Sequence, residues 1–242
     1  MSLEEKLLEG KYIYKKDNVQ YSEEIFKVSK EDKFQGNFIF SAETLSRVST
    51  GEFLKIYTDY ELSHQFEPLN VRVKRSLGNK KSTERFVVNQ KDKNLRYTFE
   101  SDSESEQCEK IINGKFHVAT PAFLTSALMT QIKKMDSVQK TPYNIISTNN
   151  VWNYNGPFFE AEILIDLKSL DQVHLVINDN KLSATHCGMS ELETKDNPHP
   201  ESSEFYLSRY FNIPYKAEMP GNIVIEVEQL KTFEVDYKTM LK

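Results

Sequence analysis

Apolar and polar side chains alternate with a period of two through most of this chain, and a single stretch departs from that rhythm. Successive side chains on a strand point to opposite faces, so the alternation marks half-buried strands. Leu54, Ile56, Tyr60 and Leu62 form one row against Lys55, Asp59 and Glu61. Leu69, Val71 and Val73 oppose Asn70, Arg72 and Lys74, and Leu95, Tyr97 and Phe99 oppose Arg96, Thr98 and Glu100. Further on, Phe159, Ala161, Ile163, Ile165 and Leu167 oppose Glu160, Glu162 and Asp166, and the runs Ile223–Val227 and Phe233–Tyr237 repeat the pattern. One wet face per strand suits antiparallel pairing, because parallel strands read as continuous apolar blocks.

The departure lies between Thr120 and Lys134. Thr120 is placed to cap free amides, Pro121 suits a first helical position, and Lys133 and Lys134 complement the negative end of a helix dipole. Leu124, Leu128, Ile132 and Met135 form a stripe at three- and four-residue spacing, widened by Phe123 and Ala127. A helix this apolar must be covered. The spacing therefore predicts an all-β fold with one central helix: a large curved antiparallel sheet, an open or incomplete barrel, with helix 121–135 across its concave face. Strands are expected over about 10–118 and 142–237, and no Pro/Gly/Ser-rich linker separates these halves. Residues 1–242 are expected to form a single domain in which helix 121–135 joins the two strand-rich halves.

Glycine spacing excludes several chemistries. The chain has eight, and no two stand within a few residues of each other. A dinucleotide fingerprint, a Walker-type loop and a nucleophile elbow each need paired glycines for close backbone approach to phosphate or a sharp turn under a nucleophile. The glycines fall instead between alternating runs, as turn residues, and Asn178-Asp179-Asn180 and Asp92-Lys93-Asn94 read the same way. A net charge of −5 without a basic block argues against nucleic acid as a partner. No window approaches a transmembrane span, and the acidic start Met1–Leu8 does not read as a secretory leader. A cytoplasmic location is expected, although a leader removed earlier would leave the same start. Cys108 and Cys187 read as free thiols.

Catalytic constellations are thin. Glu160 and Glu162, two apart on one strand, would hold their carboxylates roughly 6 to 7 Å apart, near the spacing of an inverting glycosidase. Acids on every outward face make a solvated strand the plainer reading. His186, Cys187, His199 and Glu201 carry metal-capable groups but lack the close ligand pair of zinc sites, so no metal and no cofactor is expected. A hydrolase would have to assemble a pocket near His117, Glu160 and Glu162, with His186 as a further candidate. No third group orients such a nucleophile in the sequence. His64 and His174 read as polar or half-buried strand residues.

Aromatic density is more suggestive. Trp152, Tyr154, Phe158 and Phe159 cluster around Gly156-Pro157, and tyrosines recur at 12, 14, 57, 60, 206, 210 and 215. Trp and Tyr bury apolar area while keeping a polar tip, which suits amphiphilic ligands as well as ordinary cores. The candidate ligand-binding residues are Trp152, Tyr154, Phe158, Phe123, Leu124, Leu128 and His117.

The series Leu69-Asn70-Val71-Arg72-Val73-Lys74-Arg75, Glu84-Arg85-Phe86-Val87-Val88 and Leu95-Arg96-Tyr97-Thr98-Phe99, followed by Phe116-His117-Val118-Ala119-Thr120-Pro121-Ala122 before further strands, resembles the layout of the bacterial glycolipid-binding-like proteins. Those proteins are similar in architecture to the lipoprotein-carrier half-barrels, whose concave face takes up acyl chains. The resemblance covers about residues 50 to 170 and rests on order and pattern. The apolar helix, the aromatic cluster and the lack of catalytic motifs point to a soluble, non-enzymatic binding protein for an apolar or amphiphilic small molecule. A hydrolase, or an interaction module whose strand edges pair with another subunit, are the alternatives.

Overall fold

A computed structural model describes residues 4–31, 36–132, 135, 141–169, 171–192, 198, 200–209 and 211–233. Lys133, Lys134, His199 and Tyr210, and the terminal run from residue 234 onward, lie outside the described residues.

The strands before the central segment are β1 (Glu4–Lys16), β2 (Val19–Glu31), β3 (Phe38–Arg47), β4 (Phe53–Leu62), β5 (Pro68–Leu77), β6 (Lys80–Asn89), β7 (Asn94–Ser101), β8 (Ser105–Ile111) and β9 (Phe116–Val118). After it come β10 (Thr141–Ser147), β11 (Phe159–Leu167), β12 (Val173–Ile177), β13 (Asn180–Glu191), β14 (Ser202–Leu207), β15 (Pro214–Met219) and β16 (Ile223–Thr232). All join one 16-stranded sheet in the order β8-β7-β6-β5-β4-β3-β2-β1-β16-β15-β14-β13-β11-β10-β9, with β12 paired to β13 off this path. Pairing is antiparallel throughout except between β9 and β10. The all-β fold with a large curved antiparallel sheet is therefore as the alternation predicts.

The sheet rolls up without closing into a barrel. Its last strand, β9, packs against the inner side of β4 and β5, where the Tyr60 hydroxyl accepts the Val118 amide at 2.9 Å. At the other end, Lys110 on β8 reaches Glu160 on β11 at 2.5 Å. Inward rows built from Tyr12, Phe26, Phe40, Tyr60, Phe86, Leu95, Tyr97 and Phe99 line the roll and are almost fully buried. Gly10 has a packing role in this lining: a Cβ there would sit 2.4 Å from the Gln229 carbonyl oxygen and 2.5 Å from the Phe26 ring. Hairpin turns use left-handed residues at Asp17-Asn18 and Asn178-Asp179, and Lys93 in the β6–β7 turn is left-handed as well.

The central segment is buried on the concave side, as expected, but it is much less helical than residues 121–135 would allow. Among its described residues it comprises a 3-10 turn, Phe123–Thr125, and one turn of helix, α1 (Met129–Ile132). Its backbone bonds run to the third residue back, from Thr125 to Ala122, Ser126 to Phe123, Leu128 to Thr125 and Thr130 to Ala127. The side chains of Thr125, Ser126 and Thr130 donate to the carbonyls of Ala122, Phe123 and Ala127 and so compete for the acceptors of a regular helix. Thr120 does accept the Ala122 amide.

The next two amides are taken by a residue about a hundred positions away. The Glu24 carboxylate on β2 accepts the N–H of Phe123 and of Leu124, both at 2.9 Å. Tyr14 at 2.5 Å and Thr44 at 3.1 Å donate to it as well. Burial pushes the Glu24 pKa up, and the bonds from Tyr14, Leu124, Phe123 and Thr44 oppose that shift.

Removing this acceptor leaves two buried amides unpaired. We expect Glu24→Ala to lose about 2–4 kcal/mol in urea denaturation, and Glu24→Gln, which keeps one acceptor, to lose less. A loss below about 1 kcal/mol for the alanine variant would show that apolar packing alone seats the turn. Because one hydrogen-bonded sheet runs through both halves, residues 1–242 are further expected to unfold in a single transition, seen alike by far-UV circular dichroism and Trp152 fluorescence. Two separated transitions would mean that the halves fold independently.

Candidate functional site

Three polar anchors fill the concave side of β1–β7. Glu24 holds the 3-10 turn. The second anchor is His117 on β9, stacked on Tyr60 with ring centroids 5.1 Å apart, its Nδ1 2.9 Å from the Tyr60 hydroxyl. Tyr60 accepts from Val118, so its own proton points to His117 Nδ1, and the other ring nitrogen donates to the Thr125 backbone. One neutral tautomer satisfies every bond. Burial pushes the His117 pKa down to about 3, opposed by the bond to Thr125.

The third anchor is Glu84 on β6. Its carboxylate meets Arg75 at 2.5 Å, Tyr97 at 2.9 Å and the hydroxyl of Thr148. Around it Asn150 donates to Tyr97 at 2.6 Å and to the Gly156 carbonyl at 2.9 Å, and Ser82 donates to the Val151 carbonyl at 2.5 Å. The loop between β10 and β11 is thereby pinned over the end of the roll where β6 begins and β7 finishes.

The residues singled out from the sequence fall into two groups. Phe123, Leu124, Leu128 and His117 are buried in the packed interior, with Phe123 edge-on to Tyr12 at 4.8 Å. Phe158 is buried beside Tyr97, while Trp152 and Tyr154 are half-buried on the pinned loop, Tyr154 facing Phe99 at 6.1 Å. Glu160 and Glu162 stand on the exposed outer face, Glu160 paired with Lys110, so neither joins the buried His117 in a pocket. His186 lies elsewhere, bonded to Glu204 at 2.7 Å and stacked on Tyr206. Both cysteines are free, and burial pushes the Cys187 thiol up to about 12. Among the described residues no cluster of three or more His, Cys, Asp or Glu is arranged to hold a metal. Among them, too, no helix is long and apolar enough to cross a membrane.

Three clefts stand out among the described residues, and none of these three touches the seven candidate residues. Two, of about 550 and 340 Å³, are shallow hollows on the outer face around Ile25, Tyr57 and Lys74. There a ladder of cross-strand ion pairs, including Lys11–Glu23, Lys55–Glu43 and Arg72–Asp59, covers the sheet. Exposed pairs of this kind add little stability each but keep the outer surface wet.

The third cleft, like the Ile25 hollow with its buried Phe26 and Ala42, reaches core residues. About 290 Å³ in volume, it opens at the end of the roll where β6 finishes and β7 begins. From Ser82 to Val88 the strand advances roughly 20 Å, so this mouth lies at the opposite end from the pinned loop. Leu95 and Ile112, both buried, form its floor with Pro68, Val88 and Phe116, and Glu67, Gln90, Lys93, Asn94 and Lys115 form its rim. The wall is fixed by the Ile112 amide donating to the Lys93 carbonyl at 2.9 Å and by left-handed Gly114. Sequence reasoning passed over this site because its apolar residues read as ordinary strand rows and its polar ones as turns.

No protein-family model matches the chain, and no curated protein matches it significantly. Among solved structures it is similar to a beta-barrel-like protein of the domain of unknown function DUF1849 from Brucella abortus, with a TM-score of 0.55 and 9% identity over 95% of this chain and 99% of that one. It is also similar to a DUF1089 family protein from Pseudomonas aeruginosa, with a TM-score of 0.51 and 7% identity over 84% of this chain and 90% of that one. At such identities the likeness is one of fold: an open, barrel-like sheet. That much of the resemblance to the glycolipid-binding-like proteins is supported, and nothing in these likenesses names a lipid.

His117 generates a pH dependence. With its folded pKa near 3 against an ordinary value of 6.5, the unfolded chain binds a proton that the folded chain refuses. Stability is therefore full above pH 6.5 and falls as pH drops toward 3, by up to ~1.4 kcal/mol per pH unit. Glu24, whose folded pKa is raised above 4.5, acts in the opposite sense as it picks up its proton. Denaturant titrations between pH 6.5 and 5 should show a slope that His117→Gln reduces by about one proton. An unchanged slope in the variant would place the titrating group elsewhere.

Proposed function

We propose that this protein binds an apolar or amphiphilic small molecule, and that the ligand enters the cleft at the β6–β7 end of the roll. The observation that carries this reading is the accessibility of core-facing apolar residues there. Among the described residues, the rest of the concave side of β1–β7 is occupied by the chain's own segments, tied down by Glu24, His117 or Glu84. At the mouth, Val88, Phe116, Pro68 and Ile112 border a void with polar groups only on its rim. Small-molecule sites have this make-up, an apolar lining with a few placed polar groups, and run from about 300 Å³ upward. The barrel-like fold supports a binding role without identifying a ligand. In this reading Trp152, Tyr154 and Phe158 close the far end of the roll, and Phe123, Leu124, Leu128 and His117 form the plug against which the cleft is rigid.

Native mass spectrometry of the purified protein, with calorimetric titration of decanoic acid, decanol and octyl glucoside, tests the reading. At least one single-chain amphiphile should bind. Val88→Trp, which fills the cleft, should weaken that binding at least about tenfold while the thermal transition is kept. No binding by any of the three, or binding indifferent to Val88→Trp, overturns it.

A further inference from the structure

We infer that the ligand of this cleft is a single-chain amphiphile with an anionic head, a carboxylate, sulfate or phosphate, held by Lys93 and Lys115. The inference rests on the cleft being a ligand site and adds the chemical class of what it takes. Both lysines line the cleft, both are exposed, and neither takes part in a salt bridge among the described residues. The contrast is with the outer face, where Lys11, Lys15, Lys55, Arg72 and Arg96 each find a carboxylate within 3.0 Å.

Their backbones are anchored on either side of the opening. Lys93 sits in a left-handed turn with φ of 52°, its carbonyl taken by Ile112. The Lys115 carbonyl accepts the Asn144 side-chain amide at 3.3 Å. The neutral donors of the rim are already engaged: the amide of Asn94 on Glu109 at 3.0 Å, and that of Gln90 on the Pro68 carbonyl at 3.4 Å. Uncommitted donor capacity at the mouth therefore belongs mainly to two ammonium groups. Glu67 is the one acid lining the cleft, which leaves a net positive rim on a chain of charge −5. A ligand that buries its chain against Leu95, Ile112 and Val88 must leave its polar end between these lysines, where an anion is favoured and a neutral head gains little. Size sets a second limit: about 290 Å³ is too small for the paired chains of a glycolipid or phospholipid but admits one short chain.

Calorimetric titration of decanoate, decyl sulfate, decanol and methyl decanoate at pH 8 and low salt tests this on the wild type and on the double variant Lys93→Gln/Lys115→Gln. The two anions should bind about five- to tenfold more tightly than the two neutral analogues, and the preference should shrink as salt is raised. In the double variant the ratio of decanoate to decanol affinity should fall toward one. Equal affinities for charged and neutral chains, or a preference that survives the double substitution, overturns the charge assignment and leaves the cleft standing. Failure of all four to bind, or binding unaffected by Val88→Trp, overturns the cleft itself.

Discussion

Everything inside this roll depends on placing backbone and polar side chains where no water reaches them, and the Glu24 carboxylate does the most of that work. A wide curved sheet leaves a concave volume that strand side chains alone do not fill. The chain fills it with its own non-strand segments, which bring unpaired amides and carbonyls into the interior. Each unpaired group would cost roughly 1–3 kcal/mol, so the lining must supply partners. Glu24 accepts two amides of the 3-10 turn, and Glu84 accepts Thr148 and Tyr97 beneath the β10–β11 loop.

The two carboxylates sit in matching local settings. Ser22, Glu24 and Phe26 lie in the inward row of β2, and Ser82, Glu84 and Phe86 in that of β6. In both, the serine donates to a backbone carbonyl, the acid receives the inner segment, and the phenylalanine packs into the core. The His117–Tyr60 pair stands between them, so the last strand of the sheet is attached to the lining of the first half. Among the described residues the concave face of β1–β7 is thus occupied by segments held at both carboxylates and at His117, and the cleft at Val88 and Leu95 opens at the end away from the pinned loop.

Much of the fold was legible. The rows at Val71, Val73, Leu95, Tyr97 and Phe99 are buried as their alternation predicts, because parity along a strand is a local property that tertiary context rarely reverses. The turn at Asn178-Asp179 was legible for the same reason. Phe159 was not: it keeps the apolar parity yet is exposed where β11 begins. The helix expected over 121–135 was shortened where the hydroxyls of Thr125, Ser126 and Thr130 take helical acceptors, whereas Glu24 takes first-turn amides that a helix starting at 121 would leave free in any case. Glutamates at inward parity, Glu24 between Ser22 and Phe26 and Glu84 between Ser82 and Phe86, were the available signals that something polar was to be met inside.

The sequence by itself determined that this chain forms half-buried antiparallel strands around a central apolar segment, since side-chain periodicity and turn chemistry are written residue by residue. Tertiary structure alone decided that the sheet rolls until β9 lies against β4 and β5, that Glu24 and Glu84 become interior anchors, and that the mouth near Val88 and Leu95 stays open while the Trp152 loop is pinned. Those outcomes join residues 58 to 99 positions apart, and no local pattern encodes which distant carboxylate will meet which amide.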